Sequence, residues 1–378
     1  MPWKVTPVLE LRKVFVQQVD VLHRPVAVVC REYGISRKTA YKWLARHRSA
    51  PQLPLADRSR RPRREPRRTA SEIEARVIEV RHRFGWGSRK IRAILTAEGV
   101  AVPSVPTINA ILQRHGLITS APQTEQPPPH FFAHPEPNEL WQCDHKGPRD
   151  VARQKIYSLT VIDDHSRFLL ALHPCLDLTM KTAFAALWSI FGEFGLPERI
   201  LCDNAFGSLH QVPKTLSWFE AQLIRLGIRP IHGRPYHPQT QGKAERLHGT
   251  LEREVWPHVR HDSLEHFTHD VDHWRTEIYN AIRPHEALGD KPPLTRFRPS
   301  ARPRPDRLPE VEYPAGSVLR KVASTGDIGW KNHRILAGGG LAGEYVRVEE
   351  RDHDVAVFYA WKQIRLIAKT ELQKDNFV

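Results

Sequence analysis

The chain has 378 residues, 40% of them hydrophobic and ten of them tryptophan, and carries a formal net charge of +15. That length suggests two or three domains with real cores. With no apolar run of about 18 residues and no charged-then-apolar start, neither a membrane span nor a secretory leader is expected. Four scattered cysteines (Cys30, Cys143, Cys175 and Cys202) form no Cys-x-x-Cys pair, which argues against a disulfide framework or a cysteine-rich zinc site and fits a reducing cytoplasm.

The charge is unevenly spread. Residues 1–70 hold 17 basic and 5 acidic side chains, so most of the excess sits there and points to a polyanion, most simply nucleic acid. Residues 1–50 read as a helix-turn-helix. Val29, Cys30, Tyr33, Ile35, Ala40 and Trp43 fall at core positions, Gly34 sits where the turn needs a positive φ, and Ser36 can cap the next helix. Arg37, Lys38 and Lys42 would then project toward DNA. Residues 51–70 read as a basic linker in which Arg60, Arg61, Arg63 and Arg64 add phosphate contacts.

Residues 71–120 show three helical segments, Glu72–Arg83, Ser88–Glu98 and Ser104–His115, the second opening with the basic Ser88-Arg-Lys-Ile91. They read as a second winged or three-helix DNA-binding module, with a plain helical spacer as the alternative. Residues 121–137 form a Pro-rich linker.

Residues 138–300 alternate strand and helix. Apolar runs at Trp141–His145, Ile156–Ile162 and Phe168–His173 are separated by turn-like Gly147-Pro148 and Asp163-Asp-His-Ser166. A helix at Lys181–Phe194, a strand at Arg199–Cys202, a helix at Thr215–Leu226, a strand at Ile228–His232 and a long helix from Pro238 come next. This is the pattern of a mixed α/β sheet. Residues 310–370 hold six short strands punctuated by Gly338-Gly-Gly340, as in a small closed β-barrel. Its Arg320, Lys321, Lys331, Arg334 and Arg347 suggest DNA-backbone or subunit contacts.

Three carboxylates stand at strand and helix positions. Asp144 ends one apolar strand, Asp203 follows Arg199-Ile-Leu-Cys202, and Glu245 lies inside the helix from Pro238. A carboxylate ending a buried strand is costly unless it is paired, capped or bound to metal. Each Asp alone reads best as a turn cap; together the three could hold a pair of Mg²⁺ ions suited to in-line phosphoryl transfer. Asp163 and Asp164, in a predicted hairpin turn, are left out of this set.

Asp144, Cys202-Asp-Asn204 and Tyr236-His-Pro-Gln-Thr-Gln-Gly242 leading to Glu245 resemble the acidic triad of the retroviral-integrase superfamily and of bacterial insertion-sequence transposases. Tyr279-Asn280 with Arg283-Pro-His-Glu-Ala-Leu288 resembles the segment closing the transposase core. Three features depart from the pattern. The Asp203–Glu245 interval, with 41 intervening residues, is a little long; Ala205 stands where the family usually has Gly; and the zinc-binding His/Cys module of retroviral integrases is missing.

The resemblance implies N-terminal all-α modules, a ribonuclease-H-like α/β core and a C-terminal barrel. It further implies a DNA transposase that nicks the ends of a mobile element and joins them to target DNA. Two Mg²⁺ or Mn²⁺ ions would be held by Asp144, Asp203 and Glu245, with Lys243 and Arg246 on nearby phosphates. Double-stranded DNA and further copies of the chain on paired ends are the implied partners. A catalytically silent DNA-binding regulator is the rival, and a structure-specific nuclease on the same fold a third reading.

Overall fold

A computed structural model describes residues 7–57, 68–118, 133–202, 215–232 and 242–372. The chain divides into two compact units, Met1–Arg68 and Thr69–Val378. Among the described residues, no helix is long and apolar enough to cross a membrane.

In the first unit, α1 (Val8–Asp20), α2 (Val26–Glu32) and α3 (Arg37–Ser49) enclose Phe15, Val16, Val19, Val29, Cys30, Ala40, Trp43 and Leu44. Gly34 takes φ +61° between α2 and α3, and the Ser36 hydroxyl caps α3 by accepting from the Thr39 N–H. The chain beyond α3 is not all spacer. Leu55 joins this core, and Arg12 holds the segment by donating to the Leu55 carbonyl and pairing with Asp57.

The second unit opens with three helices, α4 (Ser71–Phe84), α5 (Ser88–Ala97) and α6 (Val105–Arg114), around Val77, Trp86, Ile91, Leu95, Ile108 and Leu112. Ile278 and Ile282, from a later part of the chain, pack against the same cluster, so these helices share a core with the rest of the second unit.

The central sheet has five strands: β1 (Trp141–Val151), β2 (Gln154–Asp163), β3 (Leu169–Cys175), β4 (Arg199–Cys202) and β5 (Arg229–His232). Their order is β3-β2-β1-β4-β5; the first three pair antiparallel, while β4 runs parallel to β1 and β5 parallel to β4. On one face, α7 (Met180–Phe194) and α8 (Trp218–Arg225) cover Trp141, Cys143, Leu159, Val161 and Cys202. The buried stripe of α7, Ala183, Ala186, Leu187, Ile190, Phe191 and Phe194, repeats at helical spacing. On the other face, α9 (Gly242–Glu254) and α10 (Leu264–His273) cover Ile156, Ile162, Leu169 and Leu172 through Leu247, Leu251, Phe267 and Val271.

One expected turn is strand. β1 continues through Gly147-Pro148, and the ladder to β2 absorbs them as an irregularity between Lys146 and Arg149. Pro148 can sit there because β4 pairs with β1 only along Trp141–Cys143, and a bulge asks nothing of the missing N–H. The chain reverses instead at Ala152 and Arg153, with φ of 49° and 66°. No Gly or Asn marks that turn in the sequence.

The C-terminal strands are β6 (Val318–Lys321), β7 (Asp327–Trp330), β8 (His333–Leu336), β9 (Tyr345–Glu350), β10 (Asp354–Tyr359) and β11 (Lys362–Ala368). They form an open four-stranded sheet, β11-β10-β9-β6, with β7 and β8 as a separate two-stranded ribbon. Among the described residues no pairing closes them into the barrel that six short strands suggested. Part of the reason lies at Gly338–Gly340, which leaves the strands to seat the start of α8. A Cβ on Gly340 would lie 2.3 Å from the Ser217 carbonyl carbon.

Helix α8 is therefore shared. Its Phe219 and Leu223 enter the central core, while Ala221 and Ile224, with Leu216, enter the C-terminal one. Deleting residues 310–378 is expected to uncover those three side chains, at about 1.5–3 kcal/mol for each large one. The truncated chain should show a lower melting temperature and stronger binding of a hydrophobic dye; a separable module would leave both unchanged.

Candidate active site

The register of the sheet positions the first carboxylate. Cys143 on β1 lies opposite Cys202 on β4, both buried on the α7–α8 face, and in the sequence an aspartate follows each. Asp144, the first of these, pairs in register with Thr160 of β2. Alternation along the strand turns it away from Cys143, toward the face that α9 covers. Its Oδ1 accepts from the His145 N–H at 2.8 Å, and its main-chain carbonyl accepts from the Thr160 hydroxyl at 3.0 Å. Asp203 lies outside the described residues, as do Arg60, Arg61, Arg63 and Arg64 of the linker.

Helix α9 supplies the third carboxylate. Glu245 is exposed on its first turn, and one turn further His248 reaches the sheet. The His248 ring places Nε2 3.1 Å from the Thr160 hydroxyl and Nδ1 3.9 Å from Asp144 Oδ2. Burial, aided by the charge of Lys146, pushes its pKa down to about 4. Sequence reasoning missed this histidine, although its position three residues after Glu245 on one helical face was a usable signal.

Lys243 is already engaged. Its ammonium bonds the carboxylate and, at 3.2 Å, the carbonyl of Asp164, which is 1% exposed. Burial and the nearby Arg167 bring this lysine down to about 8, against the pull of Asp164. Asp163 and Asp164 serve as buried structural acceptors. Asp163 takes the N–H groups of Asn138 and Ser166, and Asp164 takes the His134 N–H and the Gln142 amide. Arg246 is exposed beside Glu245. Glu252, two turns along the helix, pairs with Lys146 at 3.1 Å and with Arg149, so its carboxylate is spoken for.

The far end of α9 carries a buried ionic cluster. Arg283 grips both oxygens of Glu254 at 2.9 and 2.8 Å, Lys90 of α5 lies at 3.2 Å, and the Trp86 indole donates at 3.0 Å. Burial alone would raise the Glu254 carboxyl, but Arg283, Lys90 and Trp86 outweigh it and hold it at about 2. Arg89 pairs with Glu286 and Asp290. The basic start of α5 thus makes intramolecular ion pairs. In the first unit, Arg37, Lys38 and Lys42 are exposed on one side of α3 beside the exposed Tyr41, with the Lys42 ammonium 4.2 Å from the Trp43 ring centroid.

The donor chemistry at Asp144 and Glu245 is carboxylate oxygen, which suits a hard divalent ion such as Mg²⁺ or Mn²⁺. Among the described residues no group of three or more His, Cys, Asp or Glu side chains is gathered as a complete metal site; one of the three expected ligands, Asp203, is not among them.

Residues 134–238 and 226–293 match family profiles described as integrase core domain. The chain carries an integrase core. Residues 39–112 match a homeodomain-like domain, a span that runs from α3 through most of α6. The Gag-Pro-Pol polyprotein of Simian retrovirus SRV-2 is 37% identical over 131 residues, 34% of this chain and 7% of that protein. The protein of Geobacillus stearothermophilus named as transposase of insertion sequence element IS5376 is 25% identical over 175 residues, 45% of this chain and 43% of that one. The chain thus spans under half of either relative. The HTLV-2 integrase catalytic core solved in complex with magnesium aligns over 43% of this chain and 97% of its own, with 18% identity and a TM-score of 0.31. The fold of this integrase core accordingly rests on its own strand order and register.

Two substitutions test the polar framework. Lys243→Met leaves Asp164 buried without its cation and is expected to cost about 3 kcal/mol of stability, read from denaturant unfolding; a lysine serving phosphate alone would leave stability unchanged. Glu254→Gln should cost a similar amount. Because the Glu254 carboxyl is lowered in the folded chain, its contribution is present above the ordinary carboxylate range and is lost as pH falls through about 2. The parent's stability should therefore fall more steeply than the variant's between about pH 4.5 and pH 2.

Proposed function

We propose that the chain is a DNA transposase that cuts the ends of a mobile element and joins them to target DNA. The observation that carries this reading is the parallel register of β1 and β4, in which two facing cysteines are each followed by an aspartate, within a matched integrase core. Asp144, Asp203 and Glu245 would hold two Mg²⁺ or Mn²⁺ ions. Bound there, the ions would supply polarisation of the attacking and leaving oxygens of an in-line phosphoryl transfer. The Asp144 carboxylate would be oriented for that task by the His145 N–H, and Glu245 by a helix held near both ends through Lys243 and Glu254.

DNA recognition falls to the first unit. Arg37, Lys38 and Lys42 on α3, with Arg60, Arg61, Arg63 and Arg64 in the linker, would bind the terminal repeats. Arg246, beside Glu245, is proposed for phosphates near the reacting bond, and Lys243 for the same role when Asp164 releases it. The homeodomain-like match and the named relatives support double-stranded DNA as partner and assembly of several copies on paired ends. The C-terminal strands would add backbone or subunit contacts. Most of their cations already have partners: Arg334 pairs with Asp327, Lys331 with Glu350 and Arg347 with Glu349.

Asp144→Asn, Asp203→Asn and Glu245→Gln keep side-chain size but remove the charge. Each is expected to abolish cleavage and strand transfer on labelled repeat DNA while changing binding less than about threefold, because most phosphate contacts lie elsewhere. Arg37→Ala with Lys38→Ala should do the converse, weakening binding and flattening its salt dependence by about two counterions. Parent-like cleavage by all three carboxylate variants would overturn the metal mechanism, whereas a parent that binds the repeats without cutting them would replace it with the silent-regulator reading.

A further inference from the structure

We infer that His248 is an inner-sphere nitrogen ligand to the divalent ion that Asp144 holds. The inference rests on the proposed metal site and deepens it. It starts from hydrogen-bond direction. The Thr160 hydroxyl donates to the Asp144 carbonyl, which can only accept, so its single proton is committed. At 3.1 Å from that hydroxyl, His248 Nε2 must be the donor. The ring is thereby fixed with its proton on Nε2 and a lone pair on Nδ1.

Nδ1 lies 3.9 Å from Asp144 Oδ2. The separation is too long for a hydrogen bond, and both atoms offer electrons, so a proton shared between them does not explain the geometry. Two ligand atoms on one ion, each about 2.1 Å from it, stand between about 3 Å apart when adjacent and about 4.2 Å when opposite. The observed 3.9 Å lies between those two values, so a small turn of either side chain would bring the pair to adjacent positions on one ion. The Thr160 hydroxyl then serves the ring as an outer-shell hydrogen bond serves a metal-binding histidine, fixing its tautomer and orientation. A nitrogen donor among carboxylates favours a transition ion over Mg²⁺. The site is therefore biased toward Mn²⁺.

The test uses the full chain loaded with Mn²⁺, read by pulsed electron paramagnetic resonance. The parent should show ¹⁴N modulation from a directly bound imidazole. His248→Phe and His248→Gln should lose it, and both should weaken Mn²⁺ binding by about tenfold or more while weakening Mg²⁺ binding less. His248→Gln keeps a polar side chain at the site should the Phe variant fail to fold. Absence of ¹⁴N modulation in the parent, its persistence in both variants, or an unchanged Mg²⁺/Mn²⁺ preference would overturn the assignment. Asp144→Asn separates this from the underlying reading. If that variant binds Mn²⁺ as the parent does, the proposed metal site itself is wrong; if it loses Mn²⁺ while the His248 variants behave as the parent, only the histidine assignment fails.

Discussion

Helix α9 is tied to its surroundings by polar contacts along its whole length. Lys243 reaches Asp164, His248 reaches Thr160, Glu252 reaches Lys146 and Arg149, and Glu254 reaches Arg283, Lys90 and Trp86. The apolar stripe of Ala244, Leu247 and Leu251 explains why the helix lies on the sheet. Apolar burial is non-directional, however, and would tolerate small slides and rotations. A slip of one residue turns a helix by about 100° and would re-aim Glu245. Buried ionic contacts add little net stability but are costly to break singly. Along α9 they therefore act as a register device, fixing the angle at which Glu245 is presented.

The same contacts join the helical cluster to the integrase core. Trp86 and Lys90 belong to the α4–α6 part of the chain, yet both close on Glu254, at the opposite end of the helix that carries Glu245. Any load on α5 or α6 is transmitted to α9 through a buried cluster rather than a flexible tether.

The apolar skeleton was legible in the sequence because burial leaves periodicity behind. The stripe of α7, the strand runs of β2 and β3, and the helix-turn-helix with Gly34 and Ser36 all follow local rules. Asp144 was read as the end of an apolar strand, but β1 runs on to Val151, so it stands in mid-strand opposite Thr160, and that pairing depends on the partner strand. What was not legible depends on partners far apart in the chain. Gly147-Pro148 looked like a turn because nothing local reveals that β1 lacks a second neighbour there, and the true reversal at Ala152-Arg153 has no glycine to announce it. The six C-terminal strands could be counted but their pairing could not, and α8 gave no sign of serving two cores. The ion pairs of Arg89 and Lys90 could not be read because the acids that receive them, Glu254, Glu286 and Asp290, lie well over a hundred residues away.

These internal pairings bear on where affinity for DNA can reside. Lys90, Lys146, Arg149, Lys243 and Arg283 are all committed to carboxylates within the second unit, so exchanging those partners for phosphates would leave carboxylates exposed to the DNA. The first unit has fewer acids to satisfy, and the exposed side of α3 carries Arg37, Lys38 and Lys42 with no acidic residue among them. On the proposed function, a second unit whose cations are held internally would bind DNA weakly by itself, and affinity would rest on the basic N-terminal region. Weak binding at the reacting bond would leave interactions to strengthen as charge develops there, which is where binding energy accelerates a reaction.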